Sequence, residues 1–311
     1  MSASTRSTAE LARCGDSLVF SLTDLAASVP AFDLLPQYQP ELLGDALHAL
    51  APHYLDAQSH LLHLSFRCWI VRTPRHVVLI DSCIGNDKER PGFPPFHRLG
   101  SDFLSQLAAT GLQPSDIDFV CCTHLHADHC GWNTRRLDGR WVPTFPNAKY
   151  LFSRQELDYW TRQAPGSMGP HEGVYQDSVL PVIEAGLAQV IDGAWDVDDH
   201  LRVRPAPGHT AGHYAVHLHD AQAGAVFCGD VVHHPVQIAR PEWNSAFCQL
   251  PDIAVETRRQ LLRQAAEENL LLFPAHFSQS GFGSIHARGD QLQYVPGMPG
   301  HSPSHAKPFR P

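Results

Sequence analysis

The chain has 311 residues, 43% of them hydrophobic and 18% charged, a composition that describes a folded globular protein and excludes a disordered one. Its formal net charge of −9, from 23 basic and 32 acidic side chains, repels a phosphate backbone and argues against a nucleic-acid partner. No apolar run approaches the roughly 20 residues that span a bilayer, and the first 20 residues lack the apolar core of an export signal.

The eight cysteines form no CxxC pair and lie mostly in apolar runs, so reduced, buried thiols and a cytoplasmic location are expected. Histidine is abundant at 21 residues, but a count alone says little.

In chain order, residues 1–60 read as an N-terminal extension packing on the core, rich in proline and leucine around SVPAFDLLPQYQPELLGDAL. It could cover a surface or an oligomer interface, which leaves a homodimer open. Residues 61–290 alternate short β-rich runs with helical patterns. LLHLSFRCWIVRT and RHVVLIDS predict two strands joined at TPR, and SDFLSQLAATGL predicts an amphipathic helix closed by Gly111. IDFVCC and AKYLFS predict further strands, followed by a helix opening at Ser153, where Ser153 and Glu156 have capping-box spacing. Strands then follow at LAQVID, LRVRPAP, YAVHLHD and GAVFCGD, a long helix at PDIAVETRRQLLRQAAEEN, and a strand at LLLFPAH. Strands interspersed with helices predict a layered α/β sandwich. Residues 291–311 form a proline-rich tail that is expected to be mobile.

Four apolar runs end in a group able to bind metal: VVLID in Asp81, FVCCTHLHADH in His124, His126, Asp128 and His129, AVFCGD in Asp230, and LLLFPAH in His276. A fifth segment, PAPGHTAGH, offers His209 in a glycine-flanked turn. The carboxyl ends of buried strands are where α/β folds place ligand sites. In an extended chain His124 and His126 point to one side, and a turn after Ala127, eased by Gly131, lets Asp128 and His129 face a neighbouring position. A lone HxH is more often a strand end than a site, but four ligand types at this spacing, with three more segments converging, favour a pair of cations. Imidazole with carboxylate suits Zn²⁺ or another first-row ion, with Mn, Co and Fe as alternatives.

THLHADH matches H-x-H-x-D-H, and the sequence resembles the metallo-beta-lactamase superfamily of hydrolases over about 200 residues, from LIDS through GHTAGH and CGD to PAH. The resemblance implies a four-layer αβ/βα sandwich with two metals at the edge between its sheets. It implies one metal on His124, His126 and His209, a second on Asp128, His129 and His276, Asp230 bridging them, and Asp81 supporting the shell. DHCGWNT and GDVVHHPVQ look closest to the branch of N-acyl-homoserine lactonases and methyl-parathion-hydrolase-like enzymes. Two departures stand out: Gly131 is followed by Trp132 in place of a second glycine, and His233 stands where those lactonases carry a tyrosine.

The expected chemistry is hydrolysis of a small ester or lactone by a hydroxide shared between the metals, with Asp128 as proton shuttle and His233 donating to a substrate oxygen. His233, or its neighbour His234, reads equally as a histidine that supports the ligands or packs in the core. Phosphotriester and thioester hydrolysis are the alternatives. A β-lactamase is disfavoured by Asp230, a nuclease by the missing basic arm, and a diiron redox protein by His126; a non-catalytic metal-binding protein is disfavoured by the complete ligand set. Trp132 reads as packing or pocket lining, and Cys130 as structural. RPGFPPFHRL, residues 90–99, could form an apolar lip. His48, His53, His60, His63, His76, His171, His217, His219, His301 and His305 show no convergent pattern.

Overall fold

The computed structural model describes residues 11–163, 169–220, 223–289 and 291–300. The first half of the chain supplies β1 (Ala12–Cys14), β2 (Ser17–Pro30), β3 (Leu55–Asp56), β4 (Leu61–Arg72), β5 (Val77–Ile80) and β6 (Phe119–Cys121). A small hairpin of β7 (Thr134–Leu137) and β8 (Arg140–Pro143) precedes β9 (Lys149–Ser153) and β10 (Ala188–Ile191). Apart from the hairpin these form one sheet in the order β1-β2-β4-β5-β6-β9-β10, with β3 paired to β4.

The second sheet runs in chain order: β11 (Trp195–Asp196), β12 (Leu201–Pro205), β13 (Tyr214–His219), β14 (Gly224–Gly229), β15 (Leu271–Pro274), β16 (Gly283–Arg288) and β17 (Gln291–Pro296). The helices are α1 (Ala31–Leu34), α2 (Asp45–Leu50), α3 (Phe103–Ala109), α4 (Arg154–Trp160), α5 (Leu180–Glu184), α6 (Val236–Ala239) and α7 (Pro251–Glu267). None of the described helices is long and apolar enough to cross a membrane.

Three apolar clusters make the layers. Trp69, Val78, Ile80, Phe227 and Phe273 meet between the two sheets. Phe103, Leu107, Val120, Phe152 and Val182 fill the space between the first sheet and α3, α4 and α5. Val226, Cys228, Leu261, Leu262 and Leu272 lie beneath α7. The result is helix, sheet, sheet, helix, the four-layer α/β sandwich expected. α7 shows why it forms there: Pro251 opens it, and Ala254, Arg258, Leu261, Leu262 and Ala265 make one buried face at helical spacing.

β5, β6, β9 and β10 are mutually parallel, and so are β14 and β15. Parallel strands bring their carboxyl ends to one edge, so Asp81, the segment after Cys121, Asp230 and His276 emerge together. The two sheets are joined there by main chain: the Ser65 N–H donates to the His276 carbonyl at 3.0 Å, and the Arg67 N–H donates to the Ala275 carbonyl at 3.3 Å.

Residues before Leu61 build the sheet as well as covering it, since β2 pairs with β4 from Leu18↔Arg72 to Pro30↔Leu61. The second half of β2 is only partly buried and carries the small residues Ala26, Ala27 and Ser28, which blurs its alternation in the sequence. Of the expected tail, residues 291–296 form β17 against β16, and residues 301–311 lie outside the described residues. The helix after Ser153 forms without a side-chain cap, because Glu156 turns inward to another use.

Candidate metal centre

The sharp exit from β5 puts Asp81 at φ +60, and its carboxylate reaches the neighbouring motif. It accepts the Thr123 N–H at 2.7 Å, the Thr123 hydroxyl at 3.0 Å and His129 Nδ1 at 2.9 Å. With Nδ1 committed to Asp81, Nε2 of His129 is the nitrogen left for a ligand. His276 is fixed in the same way, its Nδ1 lying 3.2 Å from the Ser65 carbonyl.

Seven side chains converge above these supports. One group holds His124, His126, His209 and Asp230, and a second holds Asp128, His129 and His276, with the ligand atoms of each within 4.8 Å of one another. Asp230 faces both groups. Its Oδ2 lies 3.2 Å from His209 Nε2 and 3.8 Å from His124 Nε2. Its Oδ1 lies 3.1 Å from His276 Nε2 and 3.3 Å from His129 Nε2. Asp128 Oδ2 lies 3.6 Å from His276 Nε2 and 3.7 Å from His129 Nε2.

Whether these residues suit a pair of cations can be tested on spacing and on unpaired atoms. Ligand atoms about 2.0–2.1 Å from a tetrahedral ion lie about 3.3 Å from one another. The separations of 3.1–3.8 Å around Asp230 fit that arrangement. His124 Nε2, His129 Nε2 and Asp230 Oδ1 are buried without a hydrogen-bond partner. Leaving such atoms unpaired costs about 1–3 kcal/mol each, a cost that coordination removes.

Electrostatics agree with that fit. Burial pushes the His124 imidazole well below its usual range, and burial with its His171 and His209 neighbours does the same to His126. His209 is lowered likewise by burial. Burial also acts on His129, but Asp230, Asp81 and Asp128 overcome it and hold the ring well above its ordinary value. Against the cost of its own burial, Asp230 is held well below the carboxylate range by His129, His276, His233 and His209. The carboxylates therefore call for positive charge at this spot, and bound cations would supply it.

The Metallo-beta-lactamase superfamily profile matches residues 67–276, a span that begins in β4 and ends on His276. The chain belongs to the metallo-beta-lactamase superfamily of hydrolases. It is 21% identical over 227 residues to the N-acyl homoserine lactonase AiiA of Bacillus thuringiensis subsp. kurstaki, covering 70% of this chain and 82% of that protein. Among solved structures it is similar to the hydrolase AbOPH, with a TM-score of 0.74 and 27% identity over 91% of this chain and 95% of that one. AidC, a dizinc quorum-quenching lactonase, shares the fold with a TM-score of 0.70 and 20% identity, covering the same shares of the two chains.

In this hydrolase the ligand cluster floors a cavity of about 320 Å³ walled by Leu64, Phe66, Phe93, Phe96 and Phe247. Phe93 and Phe96 belong to the 90–99 segment, which thus forms the apolar lip. No lysine or arginine lines the cavity among the described residues. His233 lies on its wall with Nε2 3.2 Å from Asp230 Oδ2, and neither ring nitrogen makes a well-directed hydrogen bond. Trp132 does not reach the cavity: it stacks on Phe103 at 4.8 Å and donates Nε1–H to Asp24 at 3.0 Å. Cys130 is buried, its thiol directed at the His126 carbonyl at 3.2 Å.

Several residues of the site escaped the sequence reading. His171, expected to be ordinary, stacks on His126 with ring centroids 4.0 Å apart. His213, within GHTAGH, accepts the Asp230 N–H at Nε2, 3.1 Å away, and so holds the main chain of Asp230 from behind. Its position at the end of the same motif was the available signal. Glu156 and Asp24 contact segments remote in sequence and gave none.

Proposed function

We propose that this hydrolase carries two divalent cations, most simply Zn²⁺, and cleaves small neutral esters or lactones. The observation that carries the reading is Asp230, whose two oxygens face two separate histidine groups at the floor of an apolar cavity. The metal ligands are His124, His126 and His209 for one cation and Asp128, His129 and His276 for the other, with Asp230 shared.

Bound there, the pair of cations supplies an activated water at neutral pH and Lewis acidity for the scissile oxygen. The protein's part is positioning and proton handling. Asp128 borders the cavity beside His129 and His276, which supports its role in receiving the proton from the attacking water and delivering it to the leaving oxygen. His233 donates to the oxygen on which charge develops, in the place a lactonase tyrosine takes. Leu64, Phe66, Phe93 and Phe96 exclude water and hold the apolar part of the substrate. The lack of a basic wall favours neutral substrates over phosphomonoesters, and it admits a neutral phosphotriester as a second reading. Eight unpaired cysteines, seven of them buried, support a reducing cytoplasmic setting.

Metal analysis of the purified protein, coupled to a panel of lactone, aryl ester, thioester and phosphotriester substrates, tests this. Two divalent ions per chain are expected, with turnover of a lactone or aryl ester abolished by chelation and restored by Zn²⁺. Hydrolysis that persists in metal-free protein would overturn the reading.

A further inference from the structure

The lip and the short turn Gly169–His171 are parts of the cavity wall that lie outside both sheets, and connections of that kind are the segments most prone to open locally. Here they are braced from beneath by buried charge. Arg90, at the start of the lip, is buried, and its guanidinium donates to both oxygens of Asp177, at 2.7 and 2.9 Å. Asp177 stands on the π-helical turn Tyr175–Val179, which follows the His171 turn in the chain, and its N–H donates to the Gly173 carbonyl at 3.0 Å. The same guanidinium packs on Gly173, where a methyl group would come within 3.3 Å of Nη1. Lys88, also buried, donates Nζ–H to the Asp177 carbonyl at 3.0 Å and to Thr134 Oγ1 at 2.6 Å. The lip is closed on these two residues: the Arg98 N–H donates to the Lys88 carbonyl at 2.8 Å, and the Arg90 N–H to His97 Nδ1 at 3.0 Å.

We propose that Arg90 and Asp177 are positioning residues, whose pair locks the lip and the His171 turn into one body and so sets the width of the cavity and the affinity for substrate. This rests on the ester and lactone reading above. A buried ion pair adds little net stability over apolar packing of the same volume. What it adds is orientation, since a two-point fork holds guanidinium and carboxylate in one fixed geometry. Where the two segments meet at Gly92, a methyl group would lie 3.8 Å from the Gly169 carbonyl oxygen, an ordinary van der Waals spacing that leaves their separation unfixed. The other side of the turn is already anchored, because His171 Nδ1 accepts the Ala127 N–H at 3.2 Å and the ring stacks on His126. The turn is thus tied to the first ligand group on one side and to the lip on the other. A lip released from Asp177 moves away from the ligands without carrying them, so binding suffers and the metal centre does not.

The test uses metal-loaded protein in three forms: wild type, Arg90→Lys, and the double variant Arg90→Met with Asp177→Leu. Lysine keeps the charge and loses the fork; the double variant removes both charges and keeps apolar bulk. Hydrogen exchange read by mass spectrometry follows residues 90–99 and 169–177 separately from β5, β6, β14 and β15. Steady-state kinetics with the neutral ester p-nitrophenyl butyrate separates KM from kcat, and metal content per chain is measured alongside. In both variants the two segments are expected to exchange about tenfold faster, together, and KM to rise by a similar factor, the worth of one charge-assisted hydrogen bond. The strands, kcat and metal content are expected to stay at wild-type values.

Exchange that quickens in one segment only, or alike throughout the molecule, overturns the proposal. So does a fall in kcat or metal content with KM unmoved. If Arg90→Lys does not fold, the double variant decides by the same criteria, since neither charge of the pair remains in it. If the wild type hydrolyses no ester, the hydrolytic reading falls, and the exchange data still decide whether the pair braces the wall.

Discussion

Glu156 shows how much of the centre depends on groups that never touch a substrate. Its buried carboxylate accepts the Leu125 N–H at 3.1 Å, the Gly212 N–H at 3.2 Å and the Trp160 Nε1–H at 3.3 Å. Leu125 lies between His124 and His126, and Gly212 follows His209, so one side chain ties together the two loops of the first ligand group. Burial raises its pKa, and the hydrogen bonds from Thr210, Leu125, Trp160 and Gly212 pull it back. Glu156→Gln sets an amide NH₂ against these donors. The expected loss is about 1–3 kcal/mol in denaturant unfolding and about 10–100-fold in metal affinity by chelator competition. His126→Ala removes one of the proposed ligands outright and is expected to lower both metal content and turnover; full activity with unchanged metal would contradict the assignment.

At the scale of elements, the loop after β5 and the loop carrying the motif behave as one unit. The Gly131 N–H donates to the Cys83 carbonyl and the Trp132 N–H to the Ser82 carbonyl, both at 2.8 Å. Asp24 of β2 binds across this seam, accepting the Ile84 and Gly85 N–H groups, Trp132 Nε1–H and the Ser101 hydroxyl. A methyl group on Gly131 would overlap the Ile84 carbonyl, and nothing flexible stands there to give way. Gly131→Ala is expected to destabilise the protein by about 3 kcal/mol or more, read as a lower denaturant midpoint with a matching fall in metal content.

The convergence of the strand-end histidines and aspartates was legible in the sequence because each closes an apolar run, so a single segment carries both the strand and the side chain at its end. Asp24, Glu156 and His171 were not, because the partners that give each its role lie between 30 and 110 residues away. Glu156 also mimicked a capping box, a local pattern that its tertiary contacts overrode. β2 went unread for a related reason: its pairing with β4 spans twelve positions, but its exposed half alternates poorly.

For the molecule as a whole, histidines buried in the neutral form are expected to make stability fall as the solution becomes acidic. His234 is fully buried, with Nε2 2.8 Å from the Tyr54 carbonyl and Nδ1 accepting the Val236 N–H. Burial depresses its pKa to about 4, from 6.5 in the unfolded chain. Above pH 6.5 neither state is protonated and the contribution is intact. As pH falls from 6.5 toward 4 only the unfolded chain takes the proton, so stability declines, and below 4 the loss levels off. Between pH 6.5 and 5 this one residue costs about 2 kcal/mol. His217, also depressed to about 4 by burial, adds in the same direction. Denaturant midpoints at the two pH values measure the slope, and His234→Asn is expected to flatten it.

Main-chain bonds from Ser65 and Arg67 stitch the His276 turn to β4, whereas the lip at Phe93 and Phe96 and the His171 turn are connections outside both sheets. The cavity therefore has one side built into the framework and one side hung upon it. On the function proposed above, substrate range is re-tailored on the hung side, by exchanging a phenylalanine or redrawing a turn, while the histidines and aspartates at the strand ends stay where they are.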